Sequence, residues 1–387
     1  MKVILIVGIS LLFVMGLLWQ LLKLPAWPYP HLSLFVLIIY LATILNNIKI
    51  YKNELKAFCA ILLVFIYAIV YNRHLYFFGY INAMILPPLV YVAMNNTINY
   101  KVYKSIFNII IVMFVATIIV SYIERAFQTK LFLIKNDVLI SEDVFEEQFR
   151  SNGLMGGPLG SSQFVLLVYA SLMAMGSIVQ SKKIYITFLV LISMMCFNAR
   201  ASTIAELLTF AIFFFSRVSV SRVVTGILAM VAFSFLVYYS ISELGIGTRA
   251  LDIFQDDSSS VRLAIFNLFN FLDVNNILWG PETSFLAKQM KHAQLDDVII
   301  ENPLLVYIFQ VGLIMTIILV FSYITFFSKI SMGLTKHQKI LLFTPTVISI
   351  LSNISVAGGS AILSYLVIMI MLVKYDSQNN TPLLALR

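Results

Sequence analysis

Charge is scarce in this sequence. Only 11% of its 387 residues are Asp, Glu, Lys or Arg, while 60% are hydrophobic. A soluble globular chain carries about 25% charged residues, so a water-soluble enzyme of ordinary design is excluded. Disorder is excluded by the same excess of apolar residues. Cysteine is nearly absent. Cys59 and Cys196 are the two present, both inside apolar runs and towards opposite ends of them, which rules out a bridge between them and leaves neither a disulfide framework nor metal-type spacing. Walker A, the dinucleotide fingerprint and H-E-x-x-H are all missing. The long apolar runs lack period-2 alternation, which excludes a membrane β-barrel. No internal repeat or low-complexity segment is visible.

What the chain does have is long apolar runs, at a mean hydropathy of +0.94. At roughly 20 residues per membrane span, these predict an all-α, polytopic helical integral membrane protein with about twelve transmembrane helices. The spans fall near residues 3–22, 31–48, 56–71, 75–94, 104–123, 161–180, 184–198, 201–216, 223–241, 302–327, 340–352 and 360–374. The seventh and eleventh are short. The first run is long for a signal peptide and no A-x-A site follows it, so it reads as an uncleaved helix. The net charge of +8 does not indicate nucleic acid, because the basic residues are scattered singly between apolar runs and report topology instead.

Placing Lys2 in the cytoplasm tests the span count. The loops on that side then hold Lys49, Lys52, Lys56, Lys101, Lys104, Lys182, Lys183, Arg217, Arg222, Lys329, Lys336 and Lys339. With Lys2, Lys374 and Arg387 they make 15 of the 26 basic residues, against two acids, Glu54 and Asp376. Every short basic loop lands on one side, as the positive-inside rule requires. Both termini are therefore expected in the cytoplasm. The chain reads as one membrane domain, 1–387, with two long external loops. One, 124–160, has six acids and four bases; the other, 242–301, lies between the ninth and tenth spans and has nine acids and four bases. Long loops are uncommon without function, so function is expected on the non-cytoplasmic face. Within the larger loop, Asp256 to Ser260 predicts a helix start leading into an interfacial segment through Phe269, and Ile277 to Pro281 predicts a turn.

The candidate chemistry lies on that face. Arg150 precedes the sixth span, Arg200 sits at the mouth of the eighth, and Arg249 and Arg262 lie in the large loop. Arginine is costly near lipid and unexpected outside, so the set of four points to an anionic ligand such as a phosphate or pyrophosphate, held bidentately. Each one taken alone fits snorkelling to headgroups or pairing with nearby acids better. Glu206 falls inside the eighth span: it reads equally as a functional intramembrane acid and as a partner for Ser or Arg neighbours. Glu301, followed by Asn302, closes the large loop. It fits a general base for a hydroxyl, and equally an acid favoured by a helix N-terminus. The pairs Asp256-Asp257 and Asp296-Asp297 read as solvated capping residues rather than metal ligands, and no metal or cofactor is expected.

The order of these features resembles a known family. An Arg-x-x-Gly-Leu-type segment (Arg150 to Leu154) precedes a span, and an Arg-Ala-Ser-Thr hairpin (Arg200 to Thr203) follows. The large external loop then carries Ser-x-Arg (Ser260 to Arg262) and a Trp-Gly turn, and Glu301-Asn302 with Gly312 opens the next span. The stretch from about 145 to 325 is similar to the O-antigen polymerase and ligase superfamily of bacterial inner membranes. The resemblance implies a multi-pass inner-membrane protein working at the periplasmic face on undecaprenyl-pyrophosphate-linked glycans. A chain-length regulator is a further implied partner, alongside membrane lipid. Ligases of the family have His-Asn, nine residues, then Gly-x-x-Gly. Here Asn302, the gap and Gly312 match, but Glu301 replaces the His and Met315 the last Gly, so the resemblance favours an O-antigen polymerase.

In such a glycosyltransferase the lipid pyrophosphate is already an activated leaving group. Arg200 and Arg262 then stabilise the departing charge, Arg249, Arg150 and Asn302 bind the pyrophosphate or glycan, and Glu301 is the base. Three other readings stay open. One is the ligase. Another is a flippase of lipid-linked oligosaccharides, which suits twelve spans but not a 60-residue external loop without a six-plus-six repeat. The last is a non-catalytic membrane subunit.

Overall fold

The computed structural model describes residues 2–21, 31–72, 77–132, 149–215, 265–293, 295, 300, 302–351 and 361–379, with isolated helical residues between 224 and 242. Most of the described residues are helical, with no strand among them. The helices are α1 (Lys2–Leu21), α2 (Leu32–Thr43), α3 (Lys52–Asn72), α4 (Phe77–Tyr80), α5 (Leu86–Asn95), α6 (Tyr100–Phe127), α7 (Pro158–Ala174), α8 (Gln180–Phe197) and α9 (Arg200–Phe215). After these come α10 (Val274–Trp279), α11 (Thr283–His292), α12 (Pro303–Ile330), α13 (Lys336–Leu351) and α14 (Ile362–Asn379).

Four of these helices are long and apolar enough to cross a membrane: Lys52–Tyr71, Tyr100–Phe127, Gln180–Phe197 and Pro303–Ile330. Shorter apolar helices stand beside them, among them Leu32–Thr43 and Pro158–Ala174. The outer surface is consistent with an apolar solvent. On α6, Val112, Val115, Ile119 and Ile123 form one exposed stripe, while Ile106, Ile110, Phe114 and Ser121 face inward. On α12, Ile317, Phe321 and Ile324 do the same. Continuous apolar stripes of this kind are rare on water-soluble surfaces. Two helices, α7 and α14, are buried on nearly every side and form the centre of the bundle.

One expected span is not a plain helix. From α4 the chain passes through a π-helical turn, Ile81–Ile85, into α5, whose first turn holds Pro87 and Pro88. Two successive prolines withdraw two N–H donors from the helix ladder. The carbonyl of Ala83, four residues before Pro87, instead accepts the Tyr323 hydroxyl from α12 at 2.7 Å. The turn expected over 277–281 is met in part: Ile277 to Trp279 end α10, and Gly280, at φ 89°, and Pro281 leave the helix. In the expected interfacial segment, Ile265–Phe271 is a 3-10 helix, and its expected start lies outside the described residues. Neither cysteine is bridged; Cys196 is buried and Cys59 exposed.

The loops rich in lysine gather at one end of the bundle. There the Asp376 carboxylate accepts the backbone N–H of Gly176 at 3.0 Å. Gln338 donates to the carbonyl of Ala174 and to Ser377. Buried Lys183 donates to the carbonyls of Met173 and Met175, and Glu54 accepts from Tyr91 at 2.6 Å. The opposite end carries the C-terminus of α6, the segment 149–157 and the α8–α9 hairpin.

Candidate functional site

At that opposite end α6 finishes in Glu124-Arg125, and both side chains are buried. An ionised carboxylate in an apolar surrounding needs donors. Glu124 finds three in backbone N–H groups: Leu131 at 2.9 Å on one oxygen, Asn152 at 2.7 Å and Gly153 at 2.9 Å on the other. Glu124 thereby fixes the segment after Phe149 to the end of α6. Arg125 adds a second tie, donating to the Phe149 carbonyl at 3.0 Å with its guanidinium 5.9 Å from that ring. Ser151 supplies a third: its N–H donates to Cys196 and its hydroxyl to the Ser121 carbonyl.

The glycines of this segment have a local cause. Gly153 has φ +63°, and a Cβ there would lie 2.7 Å from the Ser161 hydroxyl. That hydroxyl donates to the Asn152 carbonyl and accepts from Met155 N–H at 3.1 Å. The tight loop delivers the chain to Pro158, where the lost N–H at the first turn of α7 does no harm.

Arg150 is thus held between two anchored neighbours. It reaches the α8–α9 hairpin and donates from Nε to the Phe197 carbonyl at 3.3 Å. The hairpin itself is tight: Asn198 adopts a left-handed conformation, φ 52°, and Arg200 already opens α9. Two of the four expected arginines, Arg150 and Arg200, therefore converge on one hairpin, both partly buried. Arg125 lies beside them through Phe149. The sequence reading missed it, although an acid and a base adjoining at the end of an apolar run were the signal.

The chain was compared with protein-family models, curated proteins and solved structures, and none matches it.

Below the arginines, Ser202 of α9 donates to Ser162 of α7 at 3.1 Å. One turn deeper on the same face lies Glu206, fully buried. Neither of its oxygens has a hydrogen-bond partner among the described residues, so the Ser or Arg neighbours considered for it do not satisfy it there. Tyr122 and Tyr169 are its electrostatic neighbours, but their hydroxyls turn to the Leu189 carbonyl and to Thr187.

Asn302 caps α12: its side-chain oxygen accepts the N–H of Leu304 at 2.9 Å and of Leu305 at 3.3 Å. Arg249, Arg262 and Glu301 lie outside the described residues, as do Asp256, Asp257, Asp296 and Asp297. Chemically, the described part is a mouth of guanidinium groups over a buried polar column. Planar guanidinium forks suit the oxygens of phosphate or pyrophosphate.

Proposed function

We propose that this chain is a bacterial inner-membrane glycosyltransferase. It polymerises undecaprenyl-pyrophosphate-linked repeat units of a surface polysaccharide at the periplasmic face. The observation that supports it most is the convergence of Arg150 and Arg200 on one hairpin, at the end of the bundle opposite the lysine-rich loops. That separation agrees with a twelve-span topology, with both termini cytoplasmic and the arginines outside.

In the proposed reaction the hydroxyl of one lipid-linked unit attacks the anomeric carbon of another lipid-linked chain. The new glycosidic C–O bond forms as the anomeric carbon–pyrophosphate bond breaks, and the pyrophosphate leaves with the electron pair. Arg200 and Arg262 stabilise that charge as it develops, Arg150, Arg249 and Asn302 hold the ligand, and Glu301 takes the hydroxyl proton. Arg125 is a positioning residue: through the Phe149 carbonyl it fixes the backbone beside Arg150. The activated donor supplies the driving force, and a chain-length regulator is the natural protein partner.

The test is a deletion in a producing bacterium, complemented by wild type, Arg200→Ala or Arg262→Ala at matched protein levels. Loss of the polysaccharide ladder in both variants, with single repeat units still transferred, is the expected result. A normal ladder from both variants overturns the arginine assignment. In the uncomplemented deletion, long chains accumulating on the lipid carrier identify a ligase instead, and single units trapped on the cytoplasmic side identify a flippase.

A further inference from the structure

Helices α12 and α13 follow one another through only five residues, Ser331 to Thr335, yet they do not pack along their length. Helix α12 lies mainly against α3, whereas α13 packs on α7 and α9. The two helices splay, and an apolar groove of about 610 Å³ opens between them, floored by Leu363 and Leu366 of α14. Its facing walls, Leu319 to Ser331 on α12 and Lys339 to Leu351 on α13, are each about 18 Å long at 1.5 Å per residue, over half the hydrocarbon thickness of a bilayer, and Pro303, Leu304 and Tyr307, beyond the break at Gly312, close the far end. A further helix over that length would displace about 1,400 Å³, more than the groove offers. It has the section of a hydrocarbon chain. Left unfilled, its walls would forfeit dispersion contacts, and the lining is too apolar to hold ordered water.

One end of the groove is different. Lys339 is its only charged lining residue, and the hydroxyls of Ser328 and Ser331 lie at the same end. Lys329 and Lys336 adjoin, and no acid occurs between 328 and 339. Lys339 sits in the first turn of the 16-residue α13, which Thr335 and Gln338 cap reciprocally. That N-terminus adds partial positive charge beside the ammonium group.

We propose that this groove binds an anionic glycerophospholipid. One chain lies between α12 and α13, and the phosphate sits on Lys339, beside the exposed Ser328. The phosphate end of the site lies at the lysine-rich end of the bundle, opposite the arginines, and the proposal does not depend on the function proposed above.

Native mass spectrometry of the full chain in detergent tests it, using phosphatidylglycerol and phosphatidylethanolamine with identical acyl chains. Wild type is expected to retain the anionic lipid about five-fold better, the preference one lysine supplies. Lys339→Gln is expected to abolish that preference, and Val347→Trp, which fills the groove, to lower retention of both lipids. Equal retention of the two lipids by wild type overturns the proposal. So does an unchanged preference in Lys339→Gln. Displacement of bound phosphatidylglycerol by equimolar undecaprenyl phosphate also overturns it, because the occupant is then the polyprenyl chain.

Discussion

Gly280 and Gly312 meet backbone to backbone. Gly312 breaks α12 with φ 83°, and a Cβ on it would lie 2.4 Å from the Leu278 carbonyl oxygen and 2.5 Å from Gly280 N. A Cβ on Gly280 would reach Gly312 N at 2.9 Å. The short helix α10 therefore seats directly in the kink of α12, a helix long and apolar enough to cross a membrane. Tyr67 of α3 holds its other side by donating to the Trp279 carbonyl at 2.6 Å. Gly312→Ala is expected to destabilise by at least about 2 kcal/mol, combining left-handed strain with overpacking against backbone. A fluorescence-detected thermal midpoint that does not move would disprove the contact.

Tyr323→Phe removes the hydroxyl that donates to the Ala83 carbonyl, which Pro87 leaves without its helical partner. The Ala83 carbonyl is buried, so leaving it without a donor is expected to cost about 1–3 kcal/mol. The thermal midpoint again measures it. Tyr365→Phe, which instead loses a bond to the Leu12 carbonyl, makes a comparison in which no proline is involved.

Glu124→Gln replaces an acceptor for three N–H groups with a side chain that points two donors of its own into the same place. A loss of about 1–3 kcal/mol is expected, together with faster proteolysis in the segment 149–157 that Glu124 anchors. Limited proteolysis followed by mass mapping reads it out. Unchanged cleavage would mean that Arg125 and Ser151 suffice to hold the segment.

Glu206→Met exchanges a buried carboxylate, without partners among the described residues, for an apolar side chain of similar length. The expected outcome is higher stability, by on the order of 1 kcal/mol, and a thermal midpoint raised by a few degrees. A lowered midpoint would show that Glu206 is satisfied by a group outside the described residues. Chain growth measured on the same variant separates the two roles of Glu206. Stability gained with polymerisation lost marks a functional acid, and stability gained with polymerisation kept marks a dispensable one.

Much of the fold is legible in the chain because bilayer thickness dictates the length of an apolar run. The runs at 56–71, 104–123, 184–198 and 302–327 reappear as Lys52–Asn72, Tyr100–Phe127, Gln180–Phe197 and Pro303–Ile330, each long enough to match the hydrophobic thickness of lipid. Hydropathy does not register backbone donors, so it passed over the π-turn that Pro87 and Pro88 bring with them. The turn it placed at Ile277 to Pro281 starts three residues later, because the short helix through Trp279 is held by its docking on Gly312 rather than by its own propensity.

The site divides in the same way. Sequence alone placed Arg150 and Arg200 at span mouths, since charge is confined to the ends of membrane helices. Only the tertiary structure decided that Arg150 reaches the Phe197 carbonyl three residues before Arg200, that Glu124 is committed to backbone N–H groups, and that Glu206 lies without a partner among the described residues. Those facts depend on which helix faces which, and that is settled by side-chain shape and donor-acceptor matching between segments far apart in the chain.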